Sequence, residues 1–173
     1  MSKLLSIIVP AYNEGKNICL VLEKVLAVKL VYDVQKEIIV VDDGSKDDTY
    51  DQAMGYVQAH PGVPVRVMRH AQNAGKGMAI RTALPHTTGD YIIIQDGDLE
   101  LDPNDISKLL KAMIDNDYPV VYGSRFLNKQ NTVLYQRFYW GGRLVSFIAN
   151  LLYGQHITDE PTCYKLFRAE VLK

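Results

Sequence analysis

Short apolar runs alternate with longer amphipathic segments along most of the chain. Runs rich in β-branched residues predict strands at residues 4–9, 37–41, 65–68, 91–95 and 120–123. Apolar positions recur at helical spacing over residues 14–28, 47–58, 78–84 and 102–116, which predicts a helix after each of the first four strands. This alternation is typical of an α/β protein with a mainly parallel sheet covered by helices on both faces.

Polar loops follow the first, second and fourth predicted strands, at residues 10–14, 42–45 and 96–98. In open α/β sheets, ligands bind outside the carboxyl ends of the strands. We therefore expect these three loops to lie on one rim of the sheet and to form one site.

The segment Asp96-Gly97-Asp98-Leu99-Glu100 carries three carboxylates at alternate positions directly after a strand. Alternate side chains of an extended segment share a face, so the three carboxylates repel one another unless a cation neutralises them. Oxygen ligands favour hard ions, which predicts Mg²⁺ or Mn²⁺ at Asp96, Asp98 and Glu100. Gly97 would let a pyrophosphate approach the backbone closely. The alternative interpretation is an acidic turn that caps the helix beginning near residue 103.

The other loops each leave two interpretations open. Asp42 and Asp43 are typical of a strand-ending turn, but one of them would also suit a nucleobase or ribose. Tyr12 would either stack on a base or cap the core. Residues 73–77 offer glycine amides and Lys76 to phosphates, although their spacing differs from that of a P-loop. The first strand is also not followed by G-x-G-x-x-G, which argues against a dinucleotide-binding domain.

Composition and charge narrow the class of protein. The chain has 173 residues, enough for one domain, and its 47% hydrophobic and 23% charged residues fit a globular protein. A net charge of −1 argues against a nucleic-acid-binding surface. Cys19 and Cys163 suit neither a disulfide framework nor a zinc cluster, so we expect a reducing cytosol. We predict no signal peptide or transmembrane span in this sequence, and a single catalytic domain over residues 1–173 that is truncated at its C-terminus.

Six segments, taken in order, resemble glycosyltransferase family 2: SIIVPAYNEGKNI, EIIVVDDGSKDDT, NAGKGMAIRTAL, GDYIIIQDGDLELDP, VVYGSRF and TDEPTCYKLFRAEVL. The likeness spans nearly the whole chain and is strongest to dolichyl-phosphate mannose synthases and related polyprenyl-phosphate glycosyltransferases. It implies the GT-A fold, a Rossmann-like, mainly parallel sheet with helices on both faces. It also implies inverting, metal-dependent transfer of a hexose from a nucleotide diphosphate sugar, of the GDP-mannose or UDP-glucose type, to a polyprenyl or dolichyl phosphate.

The resemblance assigns expected roles in the donor site. Glu100 stands where the lipid-phosphate enzymes commonly have glutamine as a third metal ligand. Pro10, Tyr12 and Glu14 match positions that hold the nucleotide, and Val41 and Asp43 match contacts to its base and ribose. Asp96 and Asp98 match the pair that binds the metal and the diphosphate.

The resemblance also implies acceptor-side residues. Arg125 matches an arginine near the phosphates, and Arg137 is a second candidate for the acceptor phosphate unless it is a solvated residue on a helix face. Asp159 matches an acidic residue near the acceptor, with a turn-capping loop aspartate as the alternative. We expect Asp98, Arg125 and Asp159 to be catalytic. Residues 160–164 depart from the family pattern, because many relatives carry a glycine before the aromatic residue.

Three other functions share some of these features. A family 2 enzyme that acts on a sugar hydroxyl would need a general base, for which Asp159 is the best candidate. A nucleotidyltransferase would bind a similar substrate but release pyrophosphate. A metal-dependent binding module would use the acidic rim without consuming a nucleotide sugar, and it leaves the other motifs unexplained.

Residues 134–152 combine aromatic and aliphatic side chains with Arg137 and Arg143. An amphipathic helix of this composition lies at a membrane surface or packs against the sheet as a core helix. The Gly141-Gly142 pair predicts a weakened or kinked helix. With a lipid-phosphate acceptor, we expect peripheral contact at the cytoplasmic face of a membrane.

Overall fold

The computed structural model describes residues 3–98, 101–124, 136–154 and 156–172. They form one six-stranded sheet in the order β3-β2-β1-β4-β6-β5. The strands are β1 Leu4–Ala11, β2 Gln35–Asp42, β3 Val65–Arg69, β4 Tyr91–Ile94, β5 Val120–Tyr122 and β6 Lys165–Arg168. The helices are α1 Ile18–Ala27, α2 Thr49–Ala59, α3 Lys76–Ala83, α4 Asp105–Asp115, α5 Gln136–Tyr153 and α6 Ala169–Leu172, with short 3₁₀ turns at Val31–Asp33 and Leu84–His86.

The five predicted strands and the four helices predicted between them are all present. Strand β1 pairs in parallel with β2 and β4, and β2 pairs in parallel with β3. Their carboxyl ends therefore share one rim, as expected from the positions of the polar loops. The α/β class predicted from the sequence is confirmed.

Strand β6 was not predicted, and it changes how the C-terminal segment reaches this rim. It lies between β4 and β5 and runs antiparallel to both. An antiparallel strand begins where its parallel neighbours end, so the residues just before Lys165 lie at the carboxyl end of β4. The sequence signal is weak because the strand has only four residues and begins and ends with a charged one.

The sheet buries apolar side chains on both faces, which explains the continuous apolar run in β1. Side chains alternate between the two faces with a period of two residues. One face packs against α1 and α4 and includes Ile7, Val9, Leu22 and Leu110, all fully or almost fully buried. The opposite face packs Ile8, Ile39 and Val41 against Ala79 and Ala83 of α3.

Helix α5 bears on two points of the sequence analysis. It continues through Gly141 and Gly142, and the weakening or kink expected there stays a prediction. Glycine costs a helix only about 1 kcal/mol relative to alanine, which a long helix tolerates. Its apolar side chains are also not those of a core helix, because Trp140, Phe147 and Leu151 are each more than 60% exposed. Within the described ranges, no helix combines the length and apolarity needed to cross a bilayer.

Candidate functional site

A cavity of about 370 Å³ opens at the carboxyl ends of β1, β2 and β4. This volume lies within the range of about 300–1,000 Å³ that is common for small-molecule sites. The residues that line it come from all three predicted loops and from the start of α3. They are Pro10, Ala11, Tyr12, Glu14, Asp43, Asn73, Gly75, Lys76, Asp96, Gly97 and Asp98.

The loop after β1 is held in place by the loop after β2. The backbone N–H of Asn13 donates to Ser45 Oγ at 2.9 Å, and that of Glu14 donates to Thr49 Oγ1 at 2.8 Å. In return, Asn13 Oδ1 accepts from the N–H of Lys46 at 2.9 Å. Asn13 has a φ of 57°, a left-handed conformation that asparagine tolerates better than most residues. These bonds fix the backbone that carries Tyr12 and Glu14 into the cavity.

Asp43 anchors the loop that leads into α3. Its Oδ1 accepts from the N–H of Ala74 at 3.0 Å and lies 2.7 Å from His70 Nδ1, while its Oδ2 accepts from the N–H of Gly75 at 2.7 Å. Burial would raise the pKa of this carboxyl, but the hydrogen bonds outweigh burial and lower it. Asp43 is therefore ionised at neutral pH, and it holds Gly75 and Lys76 against the cavity.

Gly44 allows the loop that follows Asp43 to lie against the loop before α3. It has a φ of 68°, and a Cβ added to it would lie 2.6 Å from the backbone nitrogen of Asn73. Both facts require glycine at this position. The Asp-Asp-Gly-Ser turn therefore serves to bring the loops after β2 and β3 together.

The neighbouring Asp42 stabilises the turn, which is one of the two roles expected for the Asp42-Asp43 pair. It is fully buried, its Oδ1 accepts from the N–H of Ser45 at 3.2 Å, and its Oδ2 lies 3.1 Å from Arg69 Nε. An aspartate that bonds to the backbone of its own turn is the behaviour expected of a strand-ending residue. Of the two aspartates, Asp43 is the one that lines the cavity.

Lys76 connects the start of α3 to the acidic loop. Its Nζ lies 2.5 Å from Asp96 Oδ1 and 3.6 Å from Cys163 Sγ. Burial acts to lower the pKa of Lys76, but the hydrogen bond and the charge of Asp96 outweigh burial and raise it. For Cys163, burial raises the pKa of the thiol, and Asp96 adds to the effect. The ammonium group thus stays charged, and the thiol stays protonated at neutral pH.

Cys163 is a site neighbour that the sequence interpretation missed. It precedes β6, whose antiparallel direction brings residues 163 and 164 to the rim. The C-terminal motif TDEPTCYKLFRAEVL could have identified it, if its apolar residues after Cys163 had been interpreted as a strand that enters the sheet from the rim.

Two predicted site residues that the structure describes do not line the cavity. Val41 is fully buried with Ile8 and Ile39, so its side chain belongs to the core beneath the rim. Asp159 is also buried, in a segment that packs on α5. There the N–H of Glu160 donates to Ser146 Oγ at 2.9 Å.

Three predicted residues fall where the structure gives no side-chain description. Glu100 and Arg125 lie outside the described residues, and Arg137 belongs to α5 by its backbone alone. Their expected roles, as third metal ligand and as acceptor-phosphate arginines, stay predictions.

The cavity offers oxygen ligands that suit a divalent cation. Asp96 and Asp98 both line it, and Gly97 between them lies close to Glu14 and to the Pro10 carbonyl. Among the described residues no group of three His, Cys, Asp or Glu side chains is arranged to hold a metal. In enzymes whose substrates carry phosphate groups, however, Mg²⁺ is held by one or two carboxylates together with the substrate's own phosphate oxygens and water. The donor set at Asp96 and Asp98 fits that kind of site.

A mainly parallel sheet with an acidic cavity at the carboxyl ends of its strands is typical of nucleotide-binding α/β proteins. The sequence model of Glycosyl transferase family 2 matches residues 6–173. The chain belongs to this family.

Several similar proteins carry the names of enzymes that act on lipid phosphates. The chain is 32% identical over 172 residues to a dolichyl-phosphate β-glucosyltransferase of Dictyostelium discoideum, covering 93% of this chain and 50% of that protein. It is 30% identical over 173 residues to a dodecaprenyl-phosphate galacturonate synthase of Rhizobium johnstonii, covering 98% and 49% respectively. The chain thus spans about half the length of these relatives.

Solved structures confirm the GT-A fold. A mannosyltransferase from Pyrobaculum calidifontis, in complex with GDP-mannose and Mn²⁺, superposes with a TM-score of 0.70 at 23% identity, over 99% of this chain and 46% of that one. Glucosyl-3-phosphoglycerate synthase from Mycobacterium tuberculosis, with Mn²⁺, UDP-glucose and phosphoglyceric acid, gives 0.73 at 20% identity, over 98% and 58%.

Proposed function

We propose that this chain is the donor-binding catalytic domain of an inverting glycosyltransferase that moves a hexose from a nucleotide diphosphate sugar to a polyprenyl phosphate. The observation that carries the proposal is the cavity itself, which gathers Asp96, Asp98 and Lys76 on one rim with Tyr12 and Asp43. The names of the relatives support the lipid-phosphate acceptor, since they include dolichyl-phosphate and dodecaprenyl-phosphate enzymes.

The cavity supplies the groups that a nucleotide sugar needs. Tyr12 is 40% exposed beside the cavity and offers an aromatic face to the base. The N–H groups at the start of α3 and the charge of Lys76 suit the negatively charged diphosphate. Asp43 fixes the backbone between these two regions, so the base and the diphosphate are held by one connected frame.

Asp96 and Asp98 are the proposed ligands of a divalent cation, Mg²⁺ or Mn²⁺, with Glu100 as a third on sequence resemblance. Bound there, the cation would neutralise charge on the diphosphate leaving group. The two solved relatives named above contain Mn²⁺, which supports a divalent cation and makes Mn²⁺ the first to test.

In the proposed reaction, an oxygen of the acceptor phosphate attacks the anomeric carbon of the sugar. The bond from that carbon to the diphosphate oxygen breaks, and the electron pair leaves with the nucleoside diphosphate. One displacement inverts the anomeric carbon. A phosphate acceptor is already an anion and needs no general base, whereas Lys76 stabilises the charge that develops on the diphosphate. Arg125 and Arg137 are the proposed acceptor-phosphate ligands, and Asp159 is the proposed acidic residue of the acceptor side.

Helix α5 supports contact with a membrane surface. Its exposed apolar side chains recur at helical spacing and include Trp140, Leu144, Phe147, Ile148 and Leu151. Aromatic and aliphatic side chains on one stripe are typical of helices that lie in the interface of a bilayer. The two cysteines, Cys19 and Cys163, are free, as in proteins of reducing compartments. These two features support our proposal that the reaction takes place at the cytoplasmic face of a membrane.

The function is tested by incubating the protein with labelled UDP-glucose or GDP-mannose, Mn²⁺ and a polyprenyl phosphate in detergent. We expect a lipid-linked sugar and one nucleoside diphosphate for each sugar transferred. Release of pyrophosphate would instead identify a nucleotidyltransferase. Transfer to a soluble sugar but not to the lipid would identify the hydroxyl-acceptor class.

A further inference from the structure

Tyr164 is a buried tyrosine whose hydroxyl lies beneath the acidic loop. Only 3% of its surface is exposed, and it directly precedes β6 at the carboxyl end of β4. Its hydroxyl oxygen lies 2.7 Å from Gln95 Oε1 and 2.9 Å from the backbone carbonyl oxygen of Asp102. A single hydroxyl hydrogen is thus shared between two acceptors, one at each end of the acidic segment.

Gln95 connects the Tyr164 hydroxyl to Asp96, a proposed metal ligand. It is fully buried, and its backbone N–H donates to the carbonyl of Ile8 at 2.9 Å. Its side-chain Nε2 donates to the backbone carbonyl of Asp96 at 3.1 Å. The hydroxyl of Tyr164 therefore orients the Gln95 amide, and that amide holds the peptide of Asp96.

The backbone of Tyr164 is held by the end of β5. Its carbonyl accepts from the N–H of Gly123 at 2.8 Å. A Cβ added at Gly123 would lie 2.9 Å from the Tyr164 Cβ, so the absence of a side chain at Gly123 allows this close approach. Burial is the main cause that raises the pKa of Tyr164 far above the ordinary range, so the hydroxyl remains a donor at every physiological pH.

We propose that Tyr164 is a positioning residue for the metal–diphosphate site: its hydroxyl orients the Gln95 amide and thereby fixes the peptide that carries the Asp96 carboxylate. Asp96 and Asp98 must both reach oxygen-ligand distance of one cation, about 2.0–2.1 Å for Mg²⁺, so a loosened Asp96 backbone weakens the site. The proposal rests on the proposed function, because it assigns Tyr164 to the cation and diphosphate named there.

A purely structural role for Tyr164 makes a different prediction. A buried hydroxyl that only stabilises the fold would lower thermal stability when removed and would leave metal dependence intact. A positioning role would lower the affinity for Mn²⁺, and would reduce the gain in nucleotide affinity that Mn²⁺ provides. The ratio of nucleotide affinities with and without metal therefore separates the two.

The test compares Tyr164→Phe with Tyr91→Phe by titration calorimetry of UDP and GDP, each with and without Mn²⁺. Tyr91 is a buried tyrosine at the start of β4, the end away from the cavity, so its variant controls for the loss of a buried tyrosine hydroxyl far from the acidic loop. We expect Tyr164→Phe to reduce the Mn²⁺-dependent gain in affinity about 10- to 100-fold, the range typical of lost outer-sphere support. Nucleotide affinity without metal should be unchanged in both variants.

A second variant keeps the test informative if Tyr164→Phe folds poorly. Gln95→Met removes the amide relay at similar side-chain length and leaves the hydroxyl of Tyr164 in place. It should reduce the same ratio, and the double variant should lose little more than the worse single one, because the two side chains act through one path.

The outcomes distinguish this proposal from the proposed function. If the wild-type protein binds nucleotide in a metal-dependent way and both variants keep the full gain, the positioning role is wrong and the proposed function stands. If folded wild-type protein shows no metal-dependent binding of either nucleotide, both proposals are overturned.

Discussion

Lys76 places a positive charge where the proposed cation would also bind. Its ammonium group lies 2.5 Å from Asp96 Oδ1, and both residues line the cavity. Two cations cannot share one carboxylate oxygen without repulsion, so Lys76 competes with a metal for Asp96. The diphosphate of a nucleotide offers Lys76 another anionic partner, which makes nucleotide and metal binding mutually supportive.

The competition between Lys76 and the cation is tested with Lys76→Gln. Lys108→Gln, at an exposed lysine on α4, is the control. We expect the variant to bind Mn²⁺ more tightly than wild type when no nucleotide is present, because a competing charge is gone. It should bind UDP or GDP in the presence of Mn²⁺ roughly tenfold more weakly, because a charge-assisted hydrogen bond to phosphate is lost. Calorimetry measures both. Equal Mn²⁺ affinity in wild type and variant would contradict the competition.

The sequence predicted most cavity-lining residues but did not decide between alternatives at single positions. Residue type and order place Tyr12, Asp96 and Asp98 on loops of one rim, and all three line the cavity. Asp42 and Asp43 are adjacent and chemically identical, so only the fold shows that one turns into the core and the other faces the cavity. Val41 illustrates the same limit, because strand alternation near the rim decides which face it occupies.

At the level of elements, β6 shows where prediction from pattern fails. Helix α5 was predicted, and it runs through the glycine pair without a break. β6 is short and follows a Pro-containing segment, so its pattern is weak, and its place between β4 and β5 is set by long-range pairing. Such pairing gives no local sequence signal, and it is what delivers Cys163 and Tyr164 to the site.

The exposed stripe of α5 gives an element-scale prediction. Leu151→Glu places a charge on this stripe at a side chain that is 73% exposed, so the fold should be retained. We expect the variant to lose binding to vesicles that contain anionic phospholipid, measured by flotation, because a charge in the apolar face opposes insertion. Leu20→Glu, at a 44% exposed leucine on α1, is the matched control and should bind as wild type does. Unaltered vesicle binding by Leu151→Glu would remove α5 from the membrane contact.

At the level of the whole molecule, carboxylates at both ends of the sheet link stability to pH. Glu37 Oε1, at the end opposite the cavity, accepts from Ser6 Oγ at 2.6 Å and from the N–H of Thr88 at 2.6 Å. Burial would raise the pKa of Glu37, but these hydrogen bonds outweigh burial and lower it. The pKa values of Asp43 and Asp47 at the rim are lowered in the same way.

A carboxyl with a lowered folded-state pKa stabilises the fold above its unfolded pKa, and this stabilisation is lost as pH falls through the folded value. We therefore expect the free energy of unfolding, measured with urea, to fall as the pH is lowered below about 5, because Asp and Glu in the unfolded chain titrate near pH 4. Glu37→Gln should be less stable than wild type at neutral pH and should lose less stability on acidification. The exposed Glu23→Gln is the control and should follow the wild-type profile. A Glu37→Gln profile parallel to that of wild type would contradict the assignment.

The central claim is that the cavity binds a nucleotide together with a divalent cation at Asp96 and Asp98. Its most direct test is calorimetric titration of UDP and GDP, with and without Mn²⁺, into wild type, Asp98→Asn and the α4 surface variant Asp105→Asn. The account predicts that Mn²⁺ strongly tightens binding of one nucleotide to wild type and Asp105→Asn, and that folded Asp98→Asn loses more than about tenfold of that gain. An undiminished Mn²⁺-dependent gain in Asp98→Asn would contradict it.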